Sequence, residues 1–185
     1  MKRLFYIIAA LAMAGAALSS CSDDDNNANT WEDYRQWRED NISWLEDQRN
    51  LVDEATGQPY YTKIVAPWAP SAYVLMHWFN DPAENGGVSP MLTSTVTTRY
   101  KLHLYDGTLA DSSEGQKGGV FTSQLSSLIE GWQIAMMNMH VGDTVQILIP
   151  YQSAYGSSSS GSVLPYSALR FNVRLEDIPD YEIRP

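Results

Sequence analysis

The chain holds one cysteine, Cys21, so no disulfide can form within it. Its three histidines, His77, His103 and His140, include no pair at the spacing with which a helix presents two metal ligands. No metal and no other cofactor is expected. Cations are scarce as well, with 12 Lys and Arg against 22 Asp and Glu and a formal net charge of −10. Nucleic-acid binding rests on cations that neutralise phosphates, so this balance argues against it. No Gly-x-Ser-x-Gly elbow occurs among the serines, which removes the nucleophile signature of the α/β-hydrolases. No internal repeat is visible. The one long apolar run, Leu4 to Leu18, is too short for a comfortable membrane span of about 20 residues.

What is present begins with that run. Lys2 and Arg3 precede it, and Leu18-Ser19-Ser20-Cys21 follows it. The arrangement resembles the lipobox of bacterial lipoprotein signal peptides, so residues 1–20 are set aside from fold reasoning. The resemblance implies cleavage before Cys21 and diacylglycerol on its sulfur; an ordinary secretory leader with an incidental cysteine is the alternative. Removing 20 of 185 residues takes away two cations and leaves 165 residues at a net charge of −12, enough for one domain with an appendage. Ser22-Asp23-Asp24-Asp25-Asn26-Asn27 cannot bury a core, and residues 21–29 read as an acidic, disordered tether. Such a run also resembles the surface-export signal of some Gram-negative lipoproteins, against a plain solvated spacer. The location implied is the cell envelope, lipid-anchored to the outer membrane and open to its outer surface.

Thr30 and Asp33 look like a helix start. Trp31, Tyr34, Trp37 or Arg38, Ile42, Leu45 and Val52 then keep near-helical spacing, which predicts an amphipathic helix over 31–54, ended by Thr56-Gly57-Gln58-Pro59. Residues 30–58 thus form an N-terminal helical element. Its three tryptophans either dock on the following domain or form a homodimer seam. Residues 60–65 and 73–79 read as strands with Ala66-Pro67-Trp68-Ala69-Pro70 as connector, and 80–90 as a loop. Residues 95–105 alternate, with Val96, Thr98, Tyr100, Leu102 and Leu104 on one face and Thr97, Arg99, Lys101 and His103 on the other. Leu169, Phe171, Val173 and Leu175 alternate in the same way. Between these lies a short helix with Ile129, Trp132, Met136 and Met139 on one side, a Gly142-Asp143 turn, and a Val/Ile/Leu strand over 144–149 stopped by Pro150. His103 and His140 are expected in water, and the methionines as fillers of core gaps.

Read in order, Tyr100, Asp106-Gly107, Ala110-Asp111-Ser112-Ser113, Leu128-Ile129-Glu130-Gly131-Trp132, Met139-His140-Val141-Gly142, Ala154-Tyr155-Gly156 and Val163 to Phe171 resemble the motif series of the FKBP-type peptidyl-prolyl cis-trans isomerases. The resemblance covers about 96–178 within a domain running over 59–185. It implies an α+β fold, an antiparallel half-barrel sheet wrapped on one short helix, joined here by the N-terminal amphipathic helix. It implies Trp132 as the floor of a proline pocket, with Tyr100, Phe121, Ile129, Val163 and Phe171 as walls and Leu128 beside them. Tyr100, Asp111 and Tyr155 would be the catalytic groups, with the Ile129 N–H and the Tyr155 hydroxyl bonding substrate carbonyls. Plain core packing is the alternative for the aromatics, and a local turn for Asp111-Ser112-Ser113.

Rotation about a peptide bond faces a barrier of about 18–20 kcal/mol that needs no nucleophile or metal to lower, and X-Pro bonds turn slowly on their own. The chain departs from the family in having Ala110 where phenylalanine is usual, Leu164 in place of a proline, Ile134-Ala135 where a glycine is usual, and Gly119 near the place of another pocket aromatic. Two functions remain open. One is a slow isomerase that assists folding of cell-envelope proteins by acting on proline-containing polypeptides. The other is a binding or chaperone lipoprotein that keeps the fold without the catalysis.

Overall fold

The computed structural model describes residues 32–179. The leader, Cys21, the tether, Thr30, Trp31 and residues 180–185 lie outside the described residues.

The elements run in the order α1 (Arg35–Arg49), β1 (Thr62–Ala66), β2 (Ala69–Trp78), β3 (Thr95–His103), β4 (Leu109–Ser112), β5 (Phe121–Gln124), α2 (Glu130–Met136), β6 (Thr144–Ile149) and β7 (Leu169–Asp177). All strand pairs are antiparallel, and the sheet order is β1-β2-β6-β7-β3-β4, with β5 also on β3. This is the α+β arrangement the sequence implies.

The two faces of the sheet are covered by different helices. On one, α2 meets Val96, Leu102, Ile147, Ile149, Leu169 and Val173 in the main core. On the other, Leu45 of α1 joins Tyr61, Leu75 and Leu148 in a second cluster. Strand periodicity sends neighbours to opposite faces, so double coverage explains why Val74-Leu75-Met76 and Ile147-Leu148-Ile149 are buried without a break.

Several boundaries differ from expectation. The first helix spans Arg35–Arg49 rather than 31–54. Tyr34 precedes it without a side-chain cap, and Asn50 ends it well before Gly57, after which Val52 pairs with Pro59 in an isolated bridge. Ile42 and Val52, expected on its apolar face, are 41% and 51% exposed. The helix still docks. Trp37 Nε1 donates to Ser167 Oγ (3.1 Å), and the buried Asn41 accepts from the Ala168 N–H (2.8 Å) while donating to the Trp37 carbonyl (2.7 Å). The expected connector at 66–70 is a tight turn at Pro67-Trp68, since Ala66 faces Ala69 and the second strand already includes Ala69 and Pro70. His103 and His140 are half-buried rather than solvated; burial, with Arg170 and Lys101 nearby, lowers the His103 pKa.

One buried acid fixes two loops. Asp143 is fully buried and accepts from Asn85 Nδ2 (2.6 Å), Asn80 Nδ2 (2.8 Å) and the His140 N–H (2.8 Å). Burial alone would raise its pKa, but those donors outweigh it and hold the carboxyl below its ordinary range. A lowered folded pKa contributes stability above the unfolded value, about 3.9, and that contribution is lost as pH falls through the folded value. Asp143→Ala leaves three donors without an acceptor and is expected to cost about 2–4 kcal/mol at neutral pH. Urea titrations should show that gap to wild type narrowing as pH falls below the ordinary carboxylate range.

Candidate active site

The alternating face of β3 sends Tyr100 and Leu102 inward, and β7, paired with it through Tyr100↔Val173 and Leu102↔Phe171, sends Phe171 to the same side. From α2 the Trp132 indole comes up between them, 4% exposed. Three rings stand nearly perpendicular to it: Tyr100 at 5.5 Å and 87°, Phe171 at 5.3 Å and 84°, and Phe121 at 6.2 Å and 86°. Edge-to-face contacts of this kind are favourable for aromatic pairs. Together they make a box with an indole floor and aromatic walls.

The box opens on a cavity of about 90 Å³ lined by these four rings with Leu102, Asp111, Leu128, Ile129 and Tyr155. At its mouth the Tyr100 hydroxyl donates to Asp111 Oδ2 at 2.6 Å. Burial first, then the hydrogen bond to Asp111 and its charge, raise the Tyr100 pKa far above the ordinary tyrosine value. The hydroxyl therefore remains a donor at any physiological pH. Ser113, 1% exposed, holds this tyrosine by its backbone: it accepts from the Tyr100 N–H (3.1 Å) and donates to the Gly119 carbonyl (2.9 Å).

Two donors at the rim are left over. Ile129 is the residue just before α2, and Gln133 Nε2 anchors the turn entering it by donating to the Leu128 carbonyl (2.8 Å). Among the described residues neither the Ile129 N–H nor the Tyr155 hydroxyl has a hydrogen-bond partner. An aromatic cavity with two unused donors at its rim can take an apolar ring and hold a carbonyl beside it.

Of the residues expected here, Tyr100, Asp111, Phe121, Leu128, Ile129, Trp132, Tyr155 and Phe171 come together. Val163 does not. It is buried in the same core cluster as Trp132, and it lines a neighbouring cavity of about 270 Å³ with Ala110, Leu102, Asp111, Tyr155 and Ser160–Ser162. The motif series contains Ser113 without giving it a role, and it omits Leu102. Leu102 was within reach of the sequence, being two residues from Tyr100 on the same strand face.

The sequence pattern of the FKBP-type peptidyl-prolyl cis-trans isomerases matches residues 86–176, about half of the chain. The peptidyl-prolyl cis-trans isomerase Mip of Coxiella burnetii is 41% identical over 90 residues, 48% of this chain and 39% of that protein. The outer membrane protein MIP of Legionella longbeachae is 38% identical over 90 residues, 48% of this chain and 38% of its own length. The chain thus spans well under half the length of these relatives. A crystal structure of a peptidyl-prolyl cis-trans isomerase from Pseudomonas syringae shares the fold, with a TM-score of 0.61 and 21% identity over 78% of this chain and 94% of that one. Through residues 86–176 the chain belongs to the FKBP-type peptidyl-prolyl cis-trans isomerase family.

Proposed function

We propose that this protein is a peptidyl-prolyl cis-trans isomerase that assists folding of proline-containing polypeptides in the cell envelope. The observation that carries this reading is the Trp132-floored box with the Tyr100–Asp111 hydrogen bond at its mouth. A prolyl ring on Trp132, walled by Tyr100, Phe121 and Phe171, would place its preceding amide in an environment without water. Water stabilises the charge-separated form of the amide, and its loss weakens the resonance that opposes rotation. The Ile129 N–H and the Tyr155 hydroxyl would hold carbonyls of the twisted chain. Asp111 would fix the Tyr100 hydroxyl and face the rotating carbonyl. Leu128 and Leu102 complete the apolar rim.

The binding step is tested by the indole itself. A proline tetrapeptide should change the fluorescence of the wild type, and Trp132→Leu should remove that change while the other five tryptophans remain. Equal responses from both proteins would place the ligand elsewhere.

A non-catalytic binding lipoprotein is the second reading. The observation favouring it is Ala110, which leaves the cavity beside Asp111 without an aromatic wall other than Tyr155.

For location, one relative bears the name outer membrane protein. Residues 1–20 would be a cleaved leader, Cys21 a lipid-bearing anchor, 21–29 a tether and 30–58 an appendage to the 59–185 domain. The contacts of Trp37, Asn41 and Leu45 with their own domain support α1 as a docked element over a dimer seam. Metabolic labelling with a fatty acid is expected to mark the wild type and not Cys21→Ser; a label that survives the substitution would contradict the anchor.

A further inference from the structure

We propose that a second groove, between α1 and the first half of β2, binds the stretch of polypeptide that flanks the proline in extended form. It rests on the isomerase reading above, and it makes α1 part of the substrate surface. The groove encloses about 440 Å³, far more than the aromatic box. Ile42 and Leu45 of α1 form one side, Ala69, Ser71 and Tyr73 of β2 the other, and the 150–153 turn its end.

Three observations point to a polypeptide as the occupant. The first is continuity. Ile129 and Tyr155 line the box, while Glu130 and Ser153, one and two residues away in the chain, line the groove. Ser153 Oγ donates to Glu130 Oε2 at 3.1 Å, so a single hydrogen-bonded ridge separates the two. A chain leaving the box over this ridge enters the groove.

The second is an open strand edge. The hairpin partner meets β2 at Val65↔Tyr73 and at Ala66↔Ala69, and β6 meets it only from Leu75 onward. Pro70, Ser71 and Ala72 therefore have no partner strand among the described residues. An extended segment can add to such an edge by main-chain hydrogen bonds, with alternate side chains entering the groove.

The third is the lining chemistry. Ile42 is an exposed aliphatic residue beside the buried Leu45. Glu130 accepts from Ser153 and, at 3.3 Å, from Trp68 Nε1, and no ion pair neutralises it among the described residues. No Lys, Arg or His lines the groove. The segment that fits carries an apolar residue for Ile42 and Leu45 and a basic residue for Glu130.

The test uses two probes, a proline tetrapeptide and a long peptide with the same centre extended by leucine and lysine. Ile42→Glu and Ser71→Arg alter exposed positions, and thermal melts check that both variants fold. Each is expected to weaken binding of the long peptide roughly tenfold, with tetrapeptide turnover, which reads the box alone, unchanged. The proposal is overturned if the long peptide binds the wild type no more tightly than the tetrapeptide, or if both folded variants bind it as the wild type does. Long-peptide binding that the variants weaken, with no tetrapeptide turnover, would support the groove while refuting the isomerase reading. If neither probe binds, both fail.

Discussion

Ala110→Phe is expected to raise kcat/KM toward proline peptides roughly five- to thirtyfold, the worth of burying one more aromatic contact at about 1–2 kcal/mol. The family resemblance puts phenylalanine at this point, between the counterparts of Tyr100 and Asp111. The structure has room for it, since the cavity of about 270 Å³ beside Ala110 contains no aromatic but Tyr155. Neither neighbouring aromatic substitutes. Phe121 already stands on the indole floor at 6.2 Å. Tyr166 packs on Tyr151 at 5.6 Å and on Tyr34 at 6.4 Å, toward α1. A bound prolyl group therefore keeps more water and more freedom on this side. A folded variant with unchanged kcat/KM would refute the account of Ala110 and favour the binding-module reading.

Gly131→Ala is expected to destabilise the fold by about 2 kcal/mol, even though alanine is the better helix former by ~1 kcal/mol. A Cβ at Gly131 would lie 2.3 Å from Ile149 Cγ2 and within 2.9 Å of two further carbons of that side chain. Ile149 is fully buried and β-branched, so its Cγ2 cannot move without turning the whole side chain into packed neighbours. The bare glycine is what lets α2 rest directly on β6 and bring Trp132 up into the box. Thermal melts should show a fall of roughly 4–8 °C for a chain of this size. Combining it with Ile149→Ala removes the clash, so the double variant should lose less than the sum of the single losses. A Gly131→Ala protein as stable as wild type would mean that the helix is free to shift.

Strand periodicity carried the reading of the site because two long strands build most of it. The alternation of Val96 to Leu102 and of Leu169 to Leu175 placed Tyr100 and Phe171 on one face, and the burial pattern of both strands follows it. Shorter elements left no such trace. Leu109–Ser112 and Phe121–Gln124 are strands of four residues, too few for a period to stand out from a turn. Both exist through pairing with Thr95–His103, a contact that only the folded chain makes. The ends of α1 were misjudged for a related reason. No side-chain cap marks its start, and the chain leaves it at Asn50 to pair Val52 with Pro59. Val163 rests on motif position alone, and its backbone bridge to Ser160, beside the cavity it shares with Ala110, has no signature in the local sequence.

The most direct measurement is a protease-coupled isomerisation assay on proline tetrapeptides with several residues before the proline. The account predicts a cis-to-trans rate that rises in proportion to added protein, falls with Trp132→Leu, and is slow in wild type relative to Ala110→Phe. A rate no higher than the uncatalysed one for every peptide, from a protein whose indole fluorescence still responds to them, would contradict catalysis and leave a binding module on the same fold.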